Sequence, residues 1–163
     1  MGDPMNEATD LGPLSSVKQA EEVEQQVRDS VTQGATLVTG GHRNRAFYEP
    51  TILTGVRPGM RVFDEEVFGP VLSVIGFKDA AEAVRIANDS IYGLAGAVWC
   101  NNINIAHKVA AAVRVGTMGI NNYFGGDITV PFGGFKQSGN GRDKSMHAFD
   151  DYTELKTTWI EFD

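Results

Sequence analysis

Two stretches of the chain carry residue types and spacings that could do chemistry. The first is Glu65-Glu66-Val67-Phe68-Gly69-Pro70, two carboxylates and an aromatic ring ahead of a Gly-Pro turn and an apolar run. A carboxylate can accept charge-assisted bonds from a pair of hydroxyls, and an aromatic wall can orient a flat ring. On the residues alone, the competing reading is a solvated charged loop whose Phe68 plugs the core. The second is Pro131-Phe132-Gly133-Gly134-Phe135-Lys136-Gln137-Ser138-Gly139-Asn140-Gly141-Arg142. It suggests a phosphate cradle but fits neither common template. No Lys follows a Gly at Walker A spacing, and Gly139-x-Gly141 lacks the third glycine of the dinucleotide fingerprint. It also follows a loop rather than a strand, so a nucleotide-phosphate site is rejected here.

Other chemistry-bearing residues argue mainly by exclusion. Cys100, the single cysteine, ends an apolar stretch, Ala97-Val98-Trp99-Cys100-Asn101, with no neighbouring cation to activate it. One cysteine excludes an internal disulfide framework and a multi-cysteine metal site, and it fits a reducing cytoplasm. His42, His107 and His147 are scattered without metal-ligand spacing, and His107 reads as a surface residue of a helix. Net charge is −7 with no Lys/Arg cluster, which speaks against a nucleic-acid partner. No apolar run approaches a membrane span, and Met1-Gly2-Asp3-Pro4 opens no secretion signal.

The elements that must position these residues can be read from periodicity. Ser16 with Gln19 forms a capping-box pattern. Val17, Ala20, Val23, Val27 and Val31 then make an amphipathic helix that Gly34 stops. Short strands are expected at 35–39 and 47–53, the latter an edge or irregular piece because of Pro50. Residues 71–77, 94–100 and 115–121 read as apolar strands. Helices separate them, one capped by Asp79 and running to about Asn88, the other from about Asn104 to Val113 with Ala106, Val109, Ala110 and Val113 inward. Strand-helix-strand-helix-strand predicts an α/β fold with a mostly parallel sheet and crossover helices. A short helix near Ser145 to Phe149 and a final strand, Leu155 to Phe162, complete the chain. The division expected is a body over residues 1–154 and a terminal strand over 155–163.

Glu-Glu-x-Phe-Gly-Pro, the later Asn88-Asp89-Ser90-Ile91-Tyr92-Gly93-Leu94 and the glycine run, in this order, resemble the catalytic domain of NAD(P)-dependent aldehyde dehydrogenases, from about Asp3 to Phe162. The resemblance implies that Glu66 binds the nicotinamide ribose of NAD or NADP and that Phe68 lies against the nicotinamide. It implies that the glycine run is architectural, and that Tyr123, Phe124, Asp127, Ile128 and Phe132 line the path of the aldehyde substrate. Asp127 would favour a tail carrying an amine or ammonium group. The segment around it looks closest to bacterial γ-glutamyl-γ-aminobutyraldehyde dehydrogenases of polyamine breakdown.

That family's chain is much longer. Its nucleotide-binding domain and its Gly-Gln-x-Cys nucleophile, with the general-base glutamate, have no counterpart in these 163 residues. The reading is therefore a C-terminal part of an aldehyde-oxidising enzyme, without catalytic residues of its own, inactive alone and self-associating through its last strand. The alternative is a non-catalytic binding or oligomerisation module that reuses this half-domain.

Overall fold

In the computed structural model, which describes residues 1–123 and 125–163, the chain forms two units, Met1–Gly76 and Phe77–Asp163. The first is organised by α1, Val17–Thr32. Ser16 Oγ accepts the Gln19 N–H at 3.0 Å, the N-cap that the pattern required. Gly34, at φ 108°, turns the chain out of the helix, a conformation open mainly to glycine. Next come β1 (Thr36–Thr39), β2 (Arg43–Asn44), β3 (Phe47–Tyr48), β4 (Thr51–Thr54), the one-turn α2 (Arg61–Asp64) and β5 (Val71–Val74).

The sheet order is β1-β4-β5, with β1–β4 antiparallel and β4–β5 parallel. Of the two outcomes expected at 47–53, the irregular one holds: the segment breaks at Glu49-Pro50 into β3 and β4, and Pro50 does not make β4 an edge. It stands just before β4, which is central, and its missing donor interrupts no ladder. Val23, Val27, Tyr48, Leu53, Val56, Met60 and Val62 close the core under α1.

The second unit contains α3 (Ala80–Asn88), β6 (Tyr92–Gly93), β7 (Ala95–Val98), α4 (Ile103–Ala112), β8 (Thr117–Ile120), β9 (Phe135–Lys136) and α5 (Ala148–Tyr152). Asp79 Oδ1 caps α3 through the Glu82 N–H at 2.8 Å. β7 and β8 pair in parallel across α4, the expected crossover, and β6 pairs antiparallel with β9. The fold is α/β.

The structure corrects four details of the sequence reading. The strand at 71–77 is β5, which pairs with β4 in the first unit, so the expected run of three parallel strands is divided between two sheets. Among the described residues of 77–163, Ala106 is the one buried apolar side chain. Val109, Ala110 and Val113 are only half-buried, because a two-stranded sheet cannot enclose a helix face. The short helix lies at Ala148–Tyr152 rather than 145–149. Lys144 and Ser145 hold positive φ and cannot begin it. Finally, residues 155–162 form no strand. Leu155, Trp159, Ile160 and Phe162 stand exposed, and a strand exists only as part of a ladder.

Candidate functional site

The Glu65–Pro70 loop is built from α1 outward. After α2 the chain turns tightly: the Gly69 N–H donates to Val67 O and the Val71 N–H to Gly69 O, each at 2.8 Å. Bonds of this i to i+2 kind pin the residue between them. They send Val67 inward, where it packs against the core, and leave Phe68 outside at 66% exposure. The core plug is therefore Val67, and the Phe68 ring is available to a ligand. Gly69 packs closely on Val23; a Cβ there would lie 2.9 Å from a Val23 methyl.

The two glutamates have different surroundings. The Glu66 side chain is exposed. Glu65 takes a two-pronged bond from Arg61, Nε to Oε1 and Nη2 to Oε2, both at 2.7 Å, and its Oε2 accepts Gln26 Nε2 at 3.0 Å. Arg61 also reaches Asp29 at 3.1 Å and Glu22. Gln26 Nε2 lies 3.3 Å from Glu66 O, and Gln19 Nε2 donates to Phe68 O at 3.3 Å. Residues 19, 22, 26 and 29 form one polar stripe of α1, since residues three, four and seven apart share a helix face.

Sequence reasoning followed the apolar stripe of α1 and missed this polar one. The usable signal was Gln19, Glu22, Gln26 and Asp29 at helical spacing. Gln26 is 3% exposed, and its Oε1 is buried without a hydrogen-bond partner among the described residues. An amide kept there at a desolvation cost is explained by what its nitrogen holds.

Hydrogen bonds from Arg61 and then Gln26 hold the Glu65 carboxyl down to about 2, from an ordinary 4.5. A lowered carboxyl pKa stabilises the fold above the unfolded value, and that stabilisation disappears as pH falls through 4.5 towards 2. Glu65 is 43% exposed, so solvent screening leaves about 1 kcal/mol. Acid titration followed by circular dichroism is expected to show Glu65→Gln losing less stability across that window than the parent chain. Equal losses would show that the ion pair contributes nothing.

The second unit carries the other residues singled out by the sequence. Phe124 lies outside the described residues. Asn121, at φ 54°, brackets Cys100: its Oδ1 accepts the Cys100 N–H at 2.8 Å and its Nδ2 donates to Cys100 O at 3.1 Å. Cys100 is thus a half-buried free thiol at a main-chain junction. Tyr123 and Ile128 are exposed at 68% and 72%. Asp127 Oδ1 accepts both the Thr129 N–H at 2.7 Å and the Thr129 hydroxyl at 2.6 Å. These bonds to the carboxylate lower its pKa.

Phe132 exchanges two main-chain bonds with Asp143, at 2.8 and 2.7 Å, and the Lys144 ammonium lies 5.6 Å from its ring centre. A cavity of about 560 Å³ opens beside this segment, lined by Ile128, Thr129, Lys144, Met146, Phe149 and Tyr152 among others. Of the residues read from sequence as substrate-lining, Ile128 lines it, while Phe132 lines a smaller one of about 190 Å³ against the glycine run. Met146, Phe149 and Tyr152 were not anticipated, because nothing in their spacing separates a cavity wall from an ordinary short helix.

The glycine run is held as architecture. Lys136 Nζ donates to Asn88 O and Ser90 O at 3.0 and 2.9 Å. Arg142 Nη1 donates to Gly134 O at 3.0 Å, and its guanidinium lies over Phe135. Both cations are thus engaged with the protein's own main chain.

The aldehyde dehydrogenase family model matches residues 1–158. PuuC, an NADP/NAD-dependent aldehyde dehydrogenase of Escherichia coli K12, is 44% identical over 99% of this chain and 33% of its own length. An aminoacetaldehyde dehydrogenase of Pseudomonas aeruginosa is 42% identical over the same shares. A P. syringae indole-3-acetaldehyde dehydrogenase, solved as a mutant with NAD+ and IAA, superposes with a TM-score of 0.93 at 52% identity, covering 99% of this chain and 34% of that one. The chain spans about a third of the length of the curated relatives it matches.

Proposed function

The chain belongs to the aldehyde dehydrogenase family, and from that premise we propose that it supplies the nicotinamide-ribose contact and part of the substrate wall of an enzyme that oxidises aldehydes to carboxylic acids. The observation that carries this reading is the exposure of Glu66 and Phe68 together on a loop tied down from behind. An outward carboxylate and an outward ring, two positions apart, fit a ribose diol and a flat heterocycle. NAD+ or NADP+, when bound, supplies the hydride acceptor. Glu66 would accept from the ribose hydroxyls, and Phe68 would lie against the nicotinamide.

Tyr123, Phe124, Asp127, Ile128 and Phe132 would line the path of the aldehyde. Asp127, anionic and exposed, favours a tail bearing an amine or ammonium, as in the aminoaldehydes of polyamine breakdown. The sequence has no Gly-Gln-x-Cys segment, the context in which the family carries its nucleophile, so Cys100 is not assigned that role. A reducing cytoplasm suits the free thiol.

Steady-state NAD(P)H formation with a panel of aminoaldehydes and propanal tests the reading. The 163-residue chain is expected to give none. In a protein carrying this segment within the family's full length, Glu66→Gln is expected to raise the KM for NAD+ about tenfold, the loss of a charge-assisted bond. Clear turnover by the chain alone, or an unchanged KM, would defeat it.

Residues 155–162, with Leu155, Trp159, Ile160 and Phe162 exposed, support self-association by edge pairing between copies. Light scattering of the purified chain should give a mass above that of one copy; monomer throughout the micromolar range would exclude it.

A further inference from the structure

Glu65 and Glu66 look interchangeable in the sequence, and the geometry separates them. We infer that Glu65, clamped between Arg61 of α2 and Gln26 of α1, is a positioning residue that holds the Glu66–Phe68 peptide outward and so sets the affinity with which Glu66 receives the cofactor's ribose. The inference rests on the ribose reading of Glu66 proposed above.

The clamp is continuous. Arg61 grips both oxygens of Glu65 in a planar fork and is itself anchored to Asp29 and Glu22 of α1. The same Gln26 nitrogen that bonds Glu65 Oε2 also approaches Glu66 O, so the carboxylate and the next peptide are held by one side chain. Two turns earlier on α1, Gln19 holds Phe68 O. Ser30 fixes the start of α2: its Oγ accepts the Val62 N–H at 3.2 Å and donates to Gln26 O at 2.8 Å. Without the clamp, a one-turn helix and a Gly-Pro loop have few bonds to keep Phe68 in one place, and segments with few anchoring contacts open locally.

A merely structural ion pair would stabilise the unit without tuning the loop, and Arg43 provides that comparison. It also binds α1, at Glu24 and Glu21, with similar exposure, but makes no hydrogen bond or ion pair with residues 65–70. The test uses Glu65→Gln, Arg61→Met, Arg43→Met and Glu66→Gln. Hydrogen exchange at the Gly69 and Val71 amides is measured in the 163-residue chain. The NAD+ dissociation constant is measured by calorimetry, without aldehyde, in a protein carrying the segment within the family's full length.

Glu65→Gln and Arg61→Met are expected to accelerate exchange at Gly69 and Val71 while sparing β4, and to weaken NAD+ binding on the order of fivefold or more. Arg43→Met is expected to lower the melting temperature and change neither readout. If Arg61→Met does not fold, Glu65→Gln, which keeps the side-chain shape, carries the test. If Glu66→Gln weakens binding and Glu65→Gln does not, the clamp is refuted and the ribose reading stands. If Glu66→Gln has no effect, the ribose reading falls, and with it the affinity claim. Unchanged exchange at Gly69 and Val71 in Glu65→Gln refutes the clamp in either case.

Discussion

Gly116→Ala is expected to abolish the native arrangement of residues 77–163, at a cost of about 3 kcal/mol or more. A Cβ at Gly116 would stand 1.6 Å from Gly133 O and 2.8 Å from its carbonyl carbon. The obstacle is main chain and cannot rotate away. The Gly116 N–H also donates to both Gly93 O and Leu94 O at 3.1 Å, so the residue joins β6, the start of β7 and the glycine run at one point. Relieving the clash would move Gly133, and with it Phe132, Phe135 and the pairing of β9 with β6. Thermal unfolding and hydrogen exchange over Thr117–Ile120 measure this. Gly76→Ala is the control, since a Cβ there meets nothing within 4 Å and should be tolerated. Parent-like protection in Gly116→Ala would mean that the glycine run does not pack on β8 as described.

Leu53→Ala is expected to cost the first unit about 3 kcal/mol. Leu53 is fully buried at the centre of β4, paired with Leu37 on one side and Ser73 on the other. Its removal leaves a cavity under α1 that main chain held in ladders on both sides cannot collapse to fill. For a small domain this is a large share of the total stability. Val67 packs on the same core, so the Glu65–Pro70 loop should loosen with it, and exchange at Gly69 should rise alongside that of β4. Leu72→Ala, one strand away but 59% exposed, should change stability by less than about 0.5 kcal/mol. Urea denaturation of the two variants compares them; equal losses would mean that the core is not centred on β4.

These effects indicate how far the sequence alone could be read. α1 and α3 were legible to within a residue because their signals are local: an N-cap side chain and the pattern that follows it lie within one helix length. The β7-α4-β8 crossover was legible for the same reason. Two motifs whose order resembles that of a family were legible along the chain, and in the structure Lys136 and Arg142 of the glycine run bond the main chain.

Pairing was not legible. Nothing within residues 71–77 says that β5 joins β4 rather than the strands that follow, because strand partners are chosen by side chains distant in sequence. Residues 155–162 pair with nothing among the described residues for a related reason: alternation of residue types makes a strand possible, and only a second backbone makes it real.

By itself, then, the sequence determined which residue types stand near one another along the chain, the helices they cap and the family whose chemistry they match. Only the tertiary structure decided that Val67 turns in and Phe68 out, that Glu65 is held by Arg61 and Gln26 while Glu66 stays exposed, and that Gly116 must have no side chain. The reason is physical. Helix starts and stops are set by bonds between residues three or four apart, whereas the Glu65–Phe68 loop is also held by Gln26 and Gln19 of α1, whose separations of 39 and 49 positions no local pattern contains.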